Sequence, residues 1–95
     1  MRIIAKKRLM DLARAHGDCV DQVTAWYNIA RKARWTNLSE VRQSFGHADA
    51  VAGKTVFNIK GNDYRLIVDI LYDKGIIYIK DLLMHAEYDR AAWRR

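Results

Sequence analysis

The sequence predicts an α+β domain, with N-terminal helices packed on an antiparallel β-sheet and a short helix at the C-terminal end. Three observations predict it. Apolar residues recur at three- and four-residue spacing through the first half. The second half breaks into short runs of β-branched and aromatic residues divided by Gly61-Asn62-Asp63 and Asp73-Lys74-Gly75. Helices come first and strands after, the order of an α+β domain.

Met1–Ile4 is short and apolar, either a first strand or the approach to a helix. From Ala5 to His16, Leu9, Leu12 and Ala13 share one helical face, while Lys6, Lys7 and Arg14 face water. Gly17 ends that helix, and Asp18 is placed to cap the next. Val20, Val23, Tyr27 and Ala30 then carry a stripe, widened by Trp26, Ile29 and Ala33, that predicts a helix over 18–33. Leu38, Val41 and Phe45 give a short third helix over 37–44 an apolar side. Strands follow at Val51, at Val56–Ile59, at Leu66–Tyr72 and at Ile76–Lys80. The Asp-Lys-Gly turn joins the last two as a hairpin. Leu66–Leu71 is apolar on both faces except at Asp69, as a central strand should be. Residues 87–95 are polar and basic and predict a terminal helix.

The chain has 95 residues, too few for two cores, so residues 1–95 form a single domain. Apolar residues make up 51% and charged residues 29%, a globular rather than a disordered balance. No apolar run reaches the roughly 18 residues of a membrane span, and the N-terminal apolar stretch is too short for a secretory signal. A lone cysteine, Cys19, forms no internal disulfide, so a cytoplasmic location is expected. The formal net charge is +6, which favours a phosphate-rich or acidic partner. That excess is uneven: residues 1–48 hold nine Lys and Arg against four Asp and Glu, and residues 49–95 hold eight against seven.

Zinc-type Cys/His spacing, phosphate-binding glycine loops and Gly-x-Ser-x-Gly are all missing, so neither a metal nor a cofactor is expected. What remains is a set of polar residues on or beside the strands: Lys60, Arg65, Lys80, His85, Tyr88 and Arg90. Cutting RNA without a metal needs a base for the ribose 2′-hydroxyl, cations for the charged phosphorane and an acid for the departing 5′-oxygen. Tyr, His, Lys and Arg suffice. Each residue also has a purely structural role open to it: Lys60 as a solvated turn residue, His85 as a helix cap, Tyr88 as a core aromatic. Trp26, Tyr27 and Trp35 follow the helical stripe and are expected in the core rather than as base-stacking platforms. Arg31, Lys32 and Arg34 close the second helix, where they favour its dipole and form a candidate contact for RNA phosphates.

The segment from Val56 to Val68, Val-Phe-Asn-Ile-Lys-Gly-Asn-Asp-Tyr-Arg-Leu-Ile-Val, resembles the core signature of the HigB-type toxins. His85-Ala86-Glu87-Tyr88-Asp89 resembles their C-terminal signature, and family-like segments in the helical half extend the resemblance over nearly the whole chain. It implies a RelE-like fold and metal-independent cleavage of mRNA on the translating 70S ribosome. It also implies neutralisation by a helix-turn-helix, HigA-like antitoxin, with operator DNA contacted only through that antitoxin and no membrane partner. Carried over residue by residue, it implies catalytic roles for Arg65, His85 and Tyr88 and a softer one for Lys60.

On this expectation Arg65 and Lys60 contact the scissile phosphate, and either Tyr88 or His85 takes the 2′-hydroxyl proton while the other assists departure. Tyrosine is a poor base at neutral pH unless neighbouring cations assist it, whereas histidine needs no such help. Asp63 sets a negative charge beside the proposed phosphate contact. The competing expectation is a non-catalytic module that binds nucleic acid or protein through its basic face.

Overall fold

The computed structural model describes residues 1–90. Its elements in chain order are β1 (Arg2–Ile4), α1 (Lys6–His16), α2 (Val20–Lys32), α3 (Leu38–Ser44), β2 (Asp49–Val51), β3 (Lys54–Ile59), β4 (Tyr64–Leu71), β5 (Ile76–Met84) and α4 (His85–Asp89). The α+β prediction holds, and α4 is the short C-terminal helix. Of the helix expected over 87–95, residues 91–95 lie outside the described residues.

The strands form one sheet in the order β1-β5-β4-β3-β2, so β4 is central as its two-faced apolar run requires. Strands β2 to β5 make the expected antiparallel meander. The sheet is nevertheless mixed, because β1 lies parallel to β5 with Ile3 opposite Ile77. The register of β4 against β5 slips between Ile67 and Val68, which leaves Lys80 as the extra residue of a bulge.

Alternation along the strands divides the sheet's two faces. Phe57, Ile59, Leu66, Val68, Ile77 and Leu82 turn toward the helices, where they pack with Leu9, Ala13, Val23, Trp26 and Ala30. Each such apolar side chain contributes about 1.5–3 kcal/mol by leaving water. Trp26 is 1% exposed and meets Phe57 edge-on at 5.3 Å. Trp35 is also buried, and Tyr27 is partly buried beneath the Lys6 ammonium at 5.0 Å. These aromatics are core and flank, not exposed stacking platforms.

Gly17 ends α1 at a φ of 82°, as its freedom from a Cβ allows. The expectation for Asp18 needs correction. Cys19 occupies the N-cap of α2 and no side chain caps that end, because the Asp18 carboxylate is drawn to the sheet instead. Asn37 does cap α3, its side chain accepting from the Glu40 N–H at 2.9 Å.

Candidate active site

Pairing of Tyr64 with Met84 sets the β3–β4 turn against the junction of β5 and α4. The turn is tight: Lys60 and Gly61 both have positive φ, 53° and 64°. A further backbone bond ties the two segments, the His85 N–H donating to the Asp63 carbonyl at 2.9 Å. Two stretches separated by more than twenty residues therefore form one constellation, and they are the two that carry the sequence signatures.

Arg65 points to the face away from the helices, one residue into β4 and opposite Leu83. Its guanidinium is held in place rather than freely solvated. Nη1 donates to the carbonyls of Asn62 at 3.2 Å and Tyr64 at 3.1 Å, and Nη2 donates to Asn62 Oδ1 at 2.7 Å. Three of its five N–H groups are thus engaged, which leaves Nε–H and one Nη2 hydrogen for an anion. Its Cζ lies 5.6 Å from the centre of the Tyr88 ring, within cation–π range.

His85 opens α4 and is half-exposed, with Nδ1 3.0 Å from Asp89 Oδ2 one helical turn on. A carboxylate accepting from Nδ1–H directs the lone pair of a neutral imidazole to Nε2, the arrangement of an oriented general base. Tyr88 shares the same short helix, so Arg65, His85 and Tyr88 are brought together. Glu87 Oε1 accepts from the Met84 N–H at 2.9 Å and fixes the start of that helix.

The remaining predicted residues are arranged differently. Lys60 adjoins the constellation, but its ammonium is held at 2.8 Å by Asp18 Oδ2, whose hydrogen bond raises the lysine pKa. Lys80 sits at the bulge three residues before Leu83, about 10 Å along the strand from the Arg65 level, with its ammonium 5.8 Å from the centre of the Tyr78 ring. Arg90 is exposed at the end of α4. Arg31 and Lys32 close α2, and Arg34 lines a cleft with Tyr72, Asp73 and Lys74 at the β4–β5 hairpin. That hairpin lies at the far end of β4 from Arg65, about 20 Å away. These three cations do not join the constellation.

Asp69, opposite Tyr78, and Asp81, opposite Ile67, lie on the open sheet face farther along from Arg65, around an apolar floor in which Ile67 is 1% exposed. At the Arg65 end Lys60 is paired with Asp18, and Asp63 and Asp89 add carboxylates beside the Arg65 guanidinium. Beside Arg65, Asn62, Asp63, Tyr64, Met84, His85 and Ala86 line a cleft of about 400 Å³. Among the described residues no group of three His, Cys, Asp or Glu side chains is placed to hold a metal ion.

Asn62, Asp89 and Asp18 were missed as site residues by sequence reasoning. Asn62 registers in the sequence only as a turn former, and Asp89 only as the last letter of the C-terminal signature. Its spacing of four from His85 on a helix was the available signal.

Over residues 19–91 the sequence matches the model of a family described as HigB_toxin, RelE-like toxic component of a toxin–antitoxin system. It is 25% identical over 92 residues to the mRNA interferase toxin HigB of Escherichia coli (strain K12), covering 94% of this chain and 88% of that protein. The mRNA interferase HigB of Shigella flexneri matches at the same identity and coverage.

Proposed function

The chain belongs to this family of RelE-like toxic components of toxin–antitoxin systems, and from that premise we propose that it is an endoribonuclease that cuts mRNA without a metal ion. The observation that carries the reading is the convergence of an anchored Arg65, an oriented His85 and Tyr88 at one end of the open face. The relatives named mRNA interferase support the substrate class.

In the reaction, Arg65 holds a non-bridging oxygen of the scissile phosphate with its two remaining N–H groups. His85 Nε2 takes the proton of the adjacent ribose 2′-hydroxyl while Asp89 stabilises the imidazolium that forms. The 2′-oxygen attacks phosphorus, Arg65 stabilises the charged phosphorane, and the Tyr88 phenol donates a proton to the departing 5′-oxygen. The products are a 2′,3′-cyclic phosphate and a 5′-hydroxyl. Asp89 favours His85 over Tyr88 as the base, because it supplies the orienting partner a base requires.

A toxin of this family has an antitoxin that neutralises it; we assign that partner as a helix-turn-helix protein through which the pair contacts operator DNA. The remote patch of Arg31, Lys32 and Arg34 suits docking on the phosphate backbone of a translating 70S ribosome, with cleavage at the sheet end. Among the described residues no helix is long and apolar enough to cross a membrane, and a cytoplasmic site of action fits a ribosomal target.

The test is incubation of purified protein with mRNA, free and on translating ribosomes, in the presence of a chelator, followed by mapping of new 5′ ends. New 5′-hydroxyl ends that disappear with His85→Ala, Tyr88→Phe and Arg65→Ala support the reading. Folded variants that still cut overturn the site, and RNA binding without new ends reassigns the chain as a non-catalytic module.

A further inference from the structure

The cleft beside Arg65 holds a carboxylate that the cleavage reaction does not use. Asp63 is exposed at the cleft, and among the described residues its side chain makes no hydrogen bond or ion pair. Its backbone, by contrast, is fixed. The Asp63 N–H donates to the Lys60 carbonyl at 3.3 Å, and its carbonyl accepts from the His85 N–H at 2.9 Å. The nearby ammonium of Lys60 is committed to Asp18. The Asp63 carboxylate acts on Lys60 only through space, without a hydrogen bond, and a negative charge next to a phosphate site weakens backbone binding unless it meets donors on the nucleic acid.

The bases supply such donors, and they differ in how well they match a carboxylate. Guanine presents N1–H and the N2 amine side by side, two donors spaced for the two oxygens of one carboxylate. Adenine and cytosine place a ring acceptor beside their amine, and uracil flanks its single N–H with two carbonyls. Asn62 adds to the match. Its oxygen is held by Arg65 at 2.7 Å, which assigns the amide orientation and leaves its N–H₂ to donate to guanine O6. The cleft also offers a surface for the ring. Met84 is 49% exposed, an unusual state for a large apolar residue, and it lines the cleft together with His85. A volume of about 400 Å³ is ample for one base.

Building on the endoribonuclease reading, we infer that this cleft is a guanine subsite, in which Asp63 and Asn62 read the Watson–Crick edge of a nucleotide flanking the cut. Arg65 positions the phosphate and Asp63 specifies the base, with Asn62 bridging the two.

The test compares short RNAs that differ only in carrying guanosine, inosine or adenosine next to the cut; inosine lacks the N2 amine alone. The wild-type protein is expected to cut the guanosine RNA about tenfold faster, as kcat/KM, than the inosine RNA, the size of one hydrogen bond to a charged group. Asp63→Asn should bring that ratio to within about twofold. Arg65→Ala should slow every RNA while leaving the ratio in place. Equal cutting of guanosine and inosine RNAs by the wild type, or a ratio that survives Asp63→Asn, overturns the inference. Equilibrium binding of the same RNAs with a 2′-O-methyl group at the cut reads the subsite without chemistry. A guanosine preference lost in Asp63→Asn supports the subsite even if no RNA is cleaved, a result that would sink only the catalytic reading. Equal affinities overturn the subsite.

Discussion

Asp18 Oδ2 receives the Lys60 ammonium at 2.8 Å across 42 residues of chain, and its other oxygen accepts from the Tyr64 hydroxyl. One carboxylate in the loop between α1 and α2 thereby ties the helical layer to both ends of the β3–β4 turn. That turn supplies Asn62, which holds Arg65, and Asp63, whose carbonyl holds the His85 N–H. Asp18 touches no substrate in this arrangement; it is a positioning residue that acts through the turn.

Asp18→Asn is therefore expected to fold, to exchange the amide hydrogens of residues 61–63 faster, and to lower kcat several-fold with a smaller change in KM. Hydrogen bonds from Lys60 and then Tyr64 hold the Asp18 carboxyl below its ordinary range. A carboxyl with a depressed folded-state pKa contributes stability that is present above about pH 4 and is lost as pH falls through the lower folded value. Amide exchange of the turn should show that acid-side loss in the wild type and a flat profile in Asp18→Asn. Identical turn exchange in the two proteins would remove the tether from the account.

The same contact acts on Tyr64 at the opposite end of the pH scale. Its hydrogen bond to Asp18, with burial second, pushes the phenol from an ordinary value of 10.0 up to about 12. A raised folded-state pKa means that this contribution is complete below pH 10 and is lost as pH rises toward 12. Ultraviolet titration of the wild type minus Tyr64→Phe should place this phenolate late, and Asp18→Asn should return it toward the ordinary range. A difference titration centred near 10 in the wild type contradicts the bond.

Much of the fold was legible because local rules governed it. The helices of the first half followed apolar spacing, and the meander followed β-branched runs with turn residues between them. The parallel seat of β1 was not legible: three residues carry no period, and their partner lies more than seventy positions away. Asp18 was misread for a related reason. Its place before a helix points to a cap, and only the folded chain brings Lys60 and Tyr64 within reach. Arg65, His85 and Tyr88 stood out as residue types, but what orients Arg65 and His85 depends on side-chain geometry. Charge counts record no position, and only the folded chain shows Arg31, Lys32 and Arg34 at the far end of the sheet from Arg65.

The β2–β3 hairpin offers a test of backbone strain. Val51 pairs with Lys54, so Ala52 and Gly53 form a two-residue loop with φ of 53° and 78°. Both values are those of a type I′ turn, in which Asn-Gly is the favoured pair. Alanine in a left-handed position costs about 1 kcal/mol, and asparagine tolerates it better without adding chain entropy as glycine would. Ala52→Asn should raise stability by about 0.5 kcal/mol and the melting temperature by a few degrees. At Gly53 an added Cβ meets nothing within 4 Å, so Gly53→Ala should lose about 1 kcal/mol through backbone strain alone. A melting temperature unchanged in both variants would show that the loop does not hold this conformation in solution.

The outer edge of β5 carries the last prediction. Strand β1 covers only Ile76–Tyr78, so the stretch from Lys80 to Met84 is an uncovered edge of the kind that recruits other strands. Side chains occupy its polar groups in turn. Arg8 Nη2 donates to the Lys80 carbonyl at 2.6 Å, and His16 Nε2–H donates to the Leu82 carbonyl at 2.9 Å. Asp81 Oδ1 accepts from the Leu82 N–H at 2.8 Å, and Glu87 Oε1 from the Met84 N–H at 2.9 Å. Two of these caps come from α1, and the His16 ring also lies 4.9 Å from that of Tyr64. The double variant Arg8→Ala, His16→Ala bares the Lys80 and Leu82 carbonyls on this uncovered edge. It should self-associate as concentration rises, seen as a growing sedimentation coefficient where the wild type stays constant. If the double variant sediments as the wild type does over the same range, the two side chains are not what keeps this edge unpaired.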